Sequence, residues 1–172
     1  MILVSGIHGV GKTFFCDCIK EQLNLSYYSA SQLITTKRNK VFSVDKHVPD
    51  IDDNQPLLIE SIEELRQNVG EFILDGHFCL LDADGKITRI PPETYTSLKP
   101  DRIILLTERP EIIAERREIR DGIKQDMNDI KAFQDAEKAY AKEISDQLGI
   151  PLIISSGSDD IQRIIEWVKK GV

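Results

Sequence analysis

The chain is predicted to fold as an α/β protein built on a parallel sheet, and three observations carry that expectation. The apolar run Met1-Ile2-Leu3-Val4-Ser5 leads into a glycine-rich turn, then into helical periodicity at Phe15, Cys18, Ile19 and Leu23. The run Glu71-Phe72-Ile73-Leu74-Asp75 ends on a carboxylate, at the C-terminal strand edge where ligands collect in a parallel sheet. The runs Arg102 to Leu106 and Leu152 to Ser155 are each followed by helical patterns rather than hairpin turns.

A length of 172 residues suffices for one domain with a real core. A net charge of −7 suits a soluble cytoplasmic protein and argues against a nucleic-acid partner. No apolar run approaches membrane-spanning length and the N-terminus lacks a basic signal region, so no membrane partner is expected. Cys16, Cys18 and Cys79 are an odd set without a pairing framework, which fits a reducing compartment. Cys16 and Cys18 would face different sides of a helix, and no Cys/His set completes a metal site.

The turn after the first strand is the most informative stretch. Gly6-Ile7-His8-Gly9-Val10-Gly11-Lys12-Thr13 fits G-x-x-x-x-G-K-[ST], a phosphate-binding loop. Chance would place this pattern in about one chain in a hundred of this length, given ordinary residue frequencies. Each residue type has a physical task. Glycines allow positive φ and turn backbone amides inward around an anion. The helix opening at Lys12 adds unpaired N–H groups and the positive end of its dipole. Lys12 would reach the β- and γ-phosphates, and the Thr13 hydroxyl would coordinate Mg²⁺. The candidate nucleotide contacts are His8, Gly9, Val10, Gly11, Lys12, Thr13 and Phe14, with ATP and Mg²⁺ as the expected ligands.

Leu25 to Ser29 reads as a second strand, followed by a helical start at Ser29-Ala30-Ser31. From about residue 29 to 70 the chain is more polar than its flanks. It holds a basic cluster (Lys37, Arg38, Lys40), then His47 and the acids Asp50, Asp52 and Asp53. That acidic run is not a calcium loop, because Gln55 stands at the turn glycine and Ser61 at the bidentate glutamate. Leu58, Ile62, Leu65 and Val69 predict a helix of about three turns, capped near Asp53 or Asn54 with Pro56 in its first turn. This excursion is the candidate acceptor-binding insertion.

Asp75, at its strand end, is the candidate to orient Mg²⁺, directly or through water. Asp82-Ala83-Asp84-Gly85 then separates two short runs as a hairpin signature. After the strand ending at Leu106, Pro110 opens a helix through Ile112, Ile113 and Arg116. Arg116 and Arg120 share a face with no acid at helical contact distance, whereas Arg117 can pair with Asp121. Unpaired like charges are costly unless an anion meets them, which makes Arg116 and Arg120 candidates for a transferring phosphoryl group. Asp121-Gly122 breaks the helix, so residues from about 116 to 126 are a candidate lid. A long amphipathic helix follows, carrying Ile130, Phe133, Ala136, Tyr140, Ile144 and Leu148 and closed by Gly149 and Pro151. Ser158 is the expected cap of a final helix with Ile161, Ile164, Ile165 and Val168 on one stripe.

Taken together, the phosphate loop, the Asp-ended strand and the arginine-flanked lid resemble the nucleoside monophosphate kinases, and within them the archaeal and nuclear type of adenylate kinase. The matching residues are Gly6, Gly9, Val10, Gly11, Lys12 and Thr13 in the loop, Asp75-Gly76-His77 after the strand, and Arg116 and Arg120. The resemblance implies a three-layer α/β/α P-loop NTPase fold over residues 1–172, with a five-stranded parallel sheet in the order 2-3-1-4-5. It implies ATP-dependent transfer to a nucleoside monophosphate, with Lys12, Asp75, His77, Arg116 and Arg120 catalytic and Thr13 and Asp75 on the metal. His77 would position substrate or water, and Ser29, Ser31, Arg38 and His77 are the candidate acceptor contacts. The chain departs from the family at His8, where many relatives have proline, and at Ser29-Ala30-Ser31, which replaces a Gly-Asp start. Two rivals remain at this level: a kinase for another small acceptor, and a nucleotide-dependent switch or hydrolase that binds a partner protein.

Overall fold

A computed structural model describes residues 1–41, 51–82, 84–122 and 124–171. His47 and Asp50 of the expected insertion, Ala83 of the hairpin turn and Ile123 of the expected lid lie outside the described residues. So do the side chains of Lys40, Asp52 and Asp53.

Five strands make one parallel sheet: β1 (Ile2–Ser5), β2 (Ser26–Ser29), β3 (Phe72–Asp75), β6 (Arg102–Leu106) and β7 (Leu152–Ser155), in the order β2-β3-β1-β6-β7. The intervening β4 (Cys79–Leu81) and β5 (Ile87–Arg89) form a separate antiparallel hairpin. Counted over the main sheet alone, the order is the expected 2-3-1-4-5. β1 is central because all four of its residues can be buried on both faces, and they are. β2, with residues Ser26-Tyr27-Tyr28-Ser29, is only partly buried and takes an edge.

Helices flank the sheet. α1 (Lys12–Leu23) packs on α7 (Ile161–Lys170), and α6 (Met127–Leu148) packs on α5 (Pro110–Asp121) and on the hairpin. α2 (Ala30–Val41) lies against α3 (Ile51–Asn68), and α3 meets α4 (Pro92–Leu98). The Asp126 side chain caps α6 by accepting from Asn128 N, and Gly122 and Gly149 end α5 and α6 in the left-handed conformation.

Two local expectations are corrected, and one helix was not expected. α3 is 18 residues long and takes Asp53, Asn54 and Pro56 into its body, rather than starting at them. Pro56 there loses an N–H bond and crowds the preceding turn, a cost set against the burial of Leu58 and Ile62. Ser158 does not cap the last helix. It sits in a 3₁₀ turn, Gly157–Asp160, and bonds Asp159, so α7 begins after Asp160. α4 was not foreseen, although Pro92 at its start, Glu93 in its first turn and the buried pair Tyr95 and Leu98 are its signals.

Candidate active site

The phosphate loop runs from the end of β1 to the start of α1. Gly6, Gly9 and Gly11 adopt φ of 147°, 82° and 104°. A Cβ on Gly6 would stand 2.8 Å from the Leu106 carbonyl, so this glycine lets the loop leave β1 against β6. The Lys12 side chain folds back over the loop, donating to the Gly6 carbonyl at 2.6 Å and the Ile7 carbonyl at 3.3 Å. Burial draws its pKa down to about 8, opposed by Asp75 and Glu137.

Pairing of β1 with β3 sets Val4 opposite Asp75, and pairing of β2 with β3 sets Ser29 opposite the same residue. Asp75 therefore stands beside the loop, where its Oδ2 accepts from the Tyr27 hydroxyl at 2.5 Å. Among the described residues no cluster of three or more His, Cys, Asp or Glu could hold a metal. One carboxylate and one hydroxyl suit Mg²⁺, which completes its octahedron with water and phosphate oxygens. The residues present fit ATP and Mg²⁺.

A cavity of about 340 Å³ opens over the loop, and Lys12, Thr13, Phe14, Ser29, Arg116 and Arg120 lie in its wall. A second cavity of about 320 Å³ lies between β3, α2, α3 and α4, with Ile34, Arg38, Leu58 and Leu98 in its wall. His8, Ser31, Asp75 and His77 line both. The structure thus separates the four candidate acceptor residues. Ser29 faces the loop cavity, Arg38 the second one, and Ser31 and His77 both. Arg38 Nη2 donates to Asn54 Oδ1, while its Nε is buried without a partner among the described residues.

The His8 and His77 rings touch at a tilt, with centroids 4.3 Å apart and planes inclined by 42°. Burial, with Lys12 adding its charge, lowers the His8 pKa to about 4 and holds His77 well below the usual histidine range. Both rings are neutral at pH 7. His77 Nδ1 is buried and has no hydrogen-bond partner among the described residues.

The arginine reading is corrected. Arg116 does not lie on the apolar side of α5; the buried face is Ile113 and Arg117, one helical turn apart. Arg116 is exposed and it has partners: it donates to Val10 O at 3.0 Å and Gly9 O at 3.4 Å and pairs with Glu108 at 3.4 Å. Arg120 pairs with Asp121 at 2.6 Å, so Asp121 serves Arg120 rather than Arg117. Arg117, 5% exposed, instead grips the loop, donating to His8 O at 2.9 and 2.7 Å and to Gln125 Oε1 at 2.6 Å. Its place on the Ile113 face was the signal that sequence reading passed over.

A glycine loop on the central strand, a lysine-led helix and an acid on the neighbouring strand define a P-loop nucleotide-binding protein. The profile of the AAA domain family matches residues 5–134. The chain belongs to that family. It is 27% identical over 150 residues to an adenylate kinase of Pyrobaculum aerophilum, covering 81% of this chain and 76% of that protein. Its fold is shared with a shikimate kinase of Bacteroides thetaiotaomicron (TM-score 0.57, 14% identity, 98% of this chain and 95% of that one). A gluconokinase of Sinorhizobium meliloti 1021 shares it too (TM-score 0.53, 15% identity, 99% and 89%). The likeness to P-loop nucleoside monophosphate kinases seen in the motifs thus extends over most of the chain. Among the described residues no helix is long and apolar enough to cross a membrane.

Proposed function

We propose that the protein is an ATP-dependent kinase that moves the γ-phosphoryl group to a small acceptor, a nucleoside monophosphate. The observation that carries this reading is the wall of His8, Ser31, Asp75 and His77 shared by the two cavities. A donor phosphate over the loop and an acceptor in the second cavity would meet across those four residues. Phosphoryl transfer asks for such positioning and for charge neutralisation more than for covalent chemistry.

The loop amides and Lys12 hold the donor phosphates. Thr13 and Asp75 would hold Mg²⁺, which would supply charge neutralisation at the transferring phosphates. A neutral His77, in the wall of both cavities, orients the acceptor. Arg38, in the wall of the second cavity, offers its guanidinium to an acceptor anion from α2. Arg116 and Arg120 give up Glu108 and Asp121 for phosphate oxygens as the lid, about residues 116 to 126, closes. The insertion of about residues 29 to 70 covers the acceptor and excludes water.

The apolar walls at Ile34, Leu58 and Leu98 favour a second reading, a different small acceptor with an apolar body. ADP release in a coupled assay, measured across the nucleoside monophosphates with a no-acceptor control, separates the two. Monophosphate-dependent release is expected. Release that ignores every acceptor would mark a hydrolase or switch and overturn the kinase reading.

A further inference from the structure

Glu137 sits in the buried stripe of α6 between Phe133, Tyr140 and Ala141, and it is 1% exposed. Nothing in the transfer scheme uses it. Its Oε1 accepts from Ser5 Oγ at 2.5 Å and from Phe78 N at 2.9 Å. Its Oε2 accepts from Phe78 N at 3.0 Å and from Cys79 N at 2.5 Å.

These donors come from two separate segments that both serve the site. Ser5 ends β1, one residue before the phosphate loop begins. Phe78 and Cys79 follow His77, on the connection that leaves β3 at Asp75. From the other side the Tyr95 hydroxyl donates to the His77 carbonyl at 2.7 Å, and the Phe78 ring stacks on Tyr95 at 4.7 Å. The His77 peptide is therefore held at both ends. Burying a carboxylate costs several kcal/mol of desolvation, a poor way merely to satisfy two amides. Joining the loop's departure point to the histidine strand is something a carboxylate at this height on α6 does with one side chain.

We propose that Glu137 is a positioning residue, a clamp that keeps Lys12 and His77 at a fixed spacing across the wall between the two cavities. Its catalytic meaning rests on the kinase reading; the clamp itself rests on the four hydrogen bonds.

Glu137→Gln can turn its carbonyl oxygen to Phe78 N and Cys79 N and donate its amide to Ser5 Oγ, which keeps the clamp without the charge. Glu137→Asp keeps the charge but is one methylene too short to span both segments. Both variants, in the full chain, are compared with the native protein by apo melting temperature, Mg-ATP Kd, kcat with the accepted acceptor, and the NMR resonances of the His77 ring. We expect Glu137→Asp to cut kcat per folded molecule by about 100-fold, the cost of a misplacement near 1 Å, with a much smaller change in Kd. Its His77 resonances should shift, and Glu137→Gln should recover both kcat, to within about tenfold, and the native resonances. A lower melting temperature in Glu137→Asp with unchanged His77 resonances and unchanged kcat would overturn the clamp. If the native protein transfers phosphoryl to no acceptor, the kinase reading falls instead. The His77 resonances then decide alone: shifted in Asp and restored in Gln supports the clamp, unchanged in Asp overturns it.

Discussion

Lys12 is charged, buried and, among the described residues, hydrogen-bonded to carbonyl oxygens at 2.6 and 3.3 Å, a combination with a pH signature. Its folded pKa, about 8, lies below the unfolded value of 10.5. The charged lysine therefore costs the fold stability below about pH 8, and the cost fades as pH rises from there toward 10.5. A bound triphosphate reverses the balance by stabilising the ammonium. We expect nucleotide binding at pH 9 to take up a proton, read as a binding enthalpy that depends on the ionisation heat of the buffer. Lys12→Ala should lose both that dependence and phosphoryl transfer; a buffer-independent enthalpy in the native protein would contradict the placement. The two neighbouring arginines divide differently. Arg117→Ala leaves His8 O and Gln125 without a buried donor, a loss of about 2–3 kcal/mol that should lower the apo melting temperature. Arg116→Ala, at an exposed residue, should leave that temperature nearly unchanged while cutting kcat by roughly 10³-fold, as loss of an arginine finger does. Melting curves and kcat on both variants test the division, and the opposite pattern would exchange their roles.

At the scale of elements, the phosphate loop is shaped by what presses on it as much as by its glycines. β6 closes one side, leaving a Cβ on Gly6 only 2.8 Å from the Leu106 carbonyl. α5 closes the other, where a Cβ on Gly9 would meet Arg117 Cγ at 3.0 Å. Both glycines also have positive φ, which costs a side chain about 1–3 kcal/mol of strain. Gly6→Ala meets rigid backbone and Gly9→Ala meets a flexible side chain. Gly6→Ala should therefore be the more destabilising, by several kcal/mol in urea unfolding, and should abolish nucleotide binding. Equal losses would mean that strain alone, not β6, limits the loop.

For the molecule as a whole, a net charge of −7 coexists with Lys12, Arg116, Arg117 and Arg120 gathered around one loop. Their mutual repulsion is relieved by an anion that binds only the folded state. Mg-ATP at a hundred times its Kd adds about 2.7 kcal/mol. For a chain of this size that is roughly 5–10 °C in melting temperature. A thermal shift of that size is expected in the native protein and should vanish in Lys12→Ala. A shift that survives the substitution would place the nucleotide elsewhere.

What the sequence determined by itself is local in origin. The phosphate loop is contiguous and works through its own backbone, so Gly6 to Thr13 could be read without any partner. Asp75 was legible because a strand and its terminal acid are adjacent in the chain, and the hairpin because its turn residues are. Arg116 and Arg117 were misjudged because their partners are remote: Arg117 meets His8, 109 residues away, and Arg116 meets Val10, 106 away. Helical spacing sees only the acids on its own element, which is why Arg116 looked unpaired and Arg117 looked satisfied by Asp121. Glu137, among the core residues of α6, was an anomaly visible in the sequence, but its donors Phe78 and Ser5 lie 59 and 132 residues off. The wall joining the two cavities exists only because the sheet order sets β3 between β1 and β2, and that order is a property of the packed molecule.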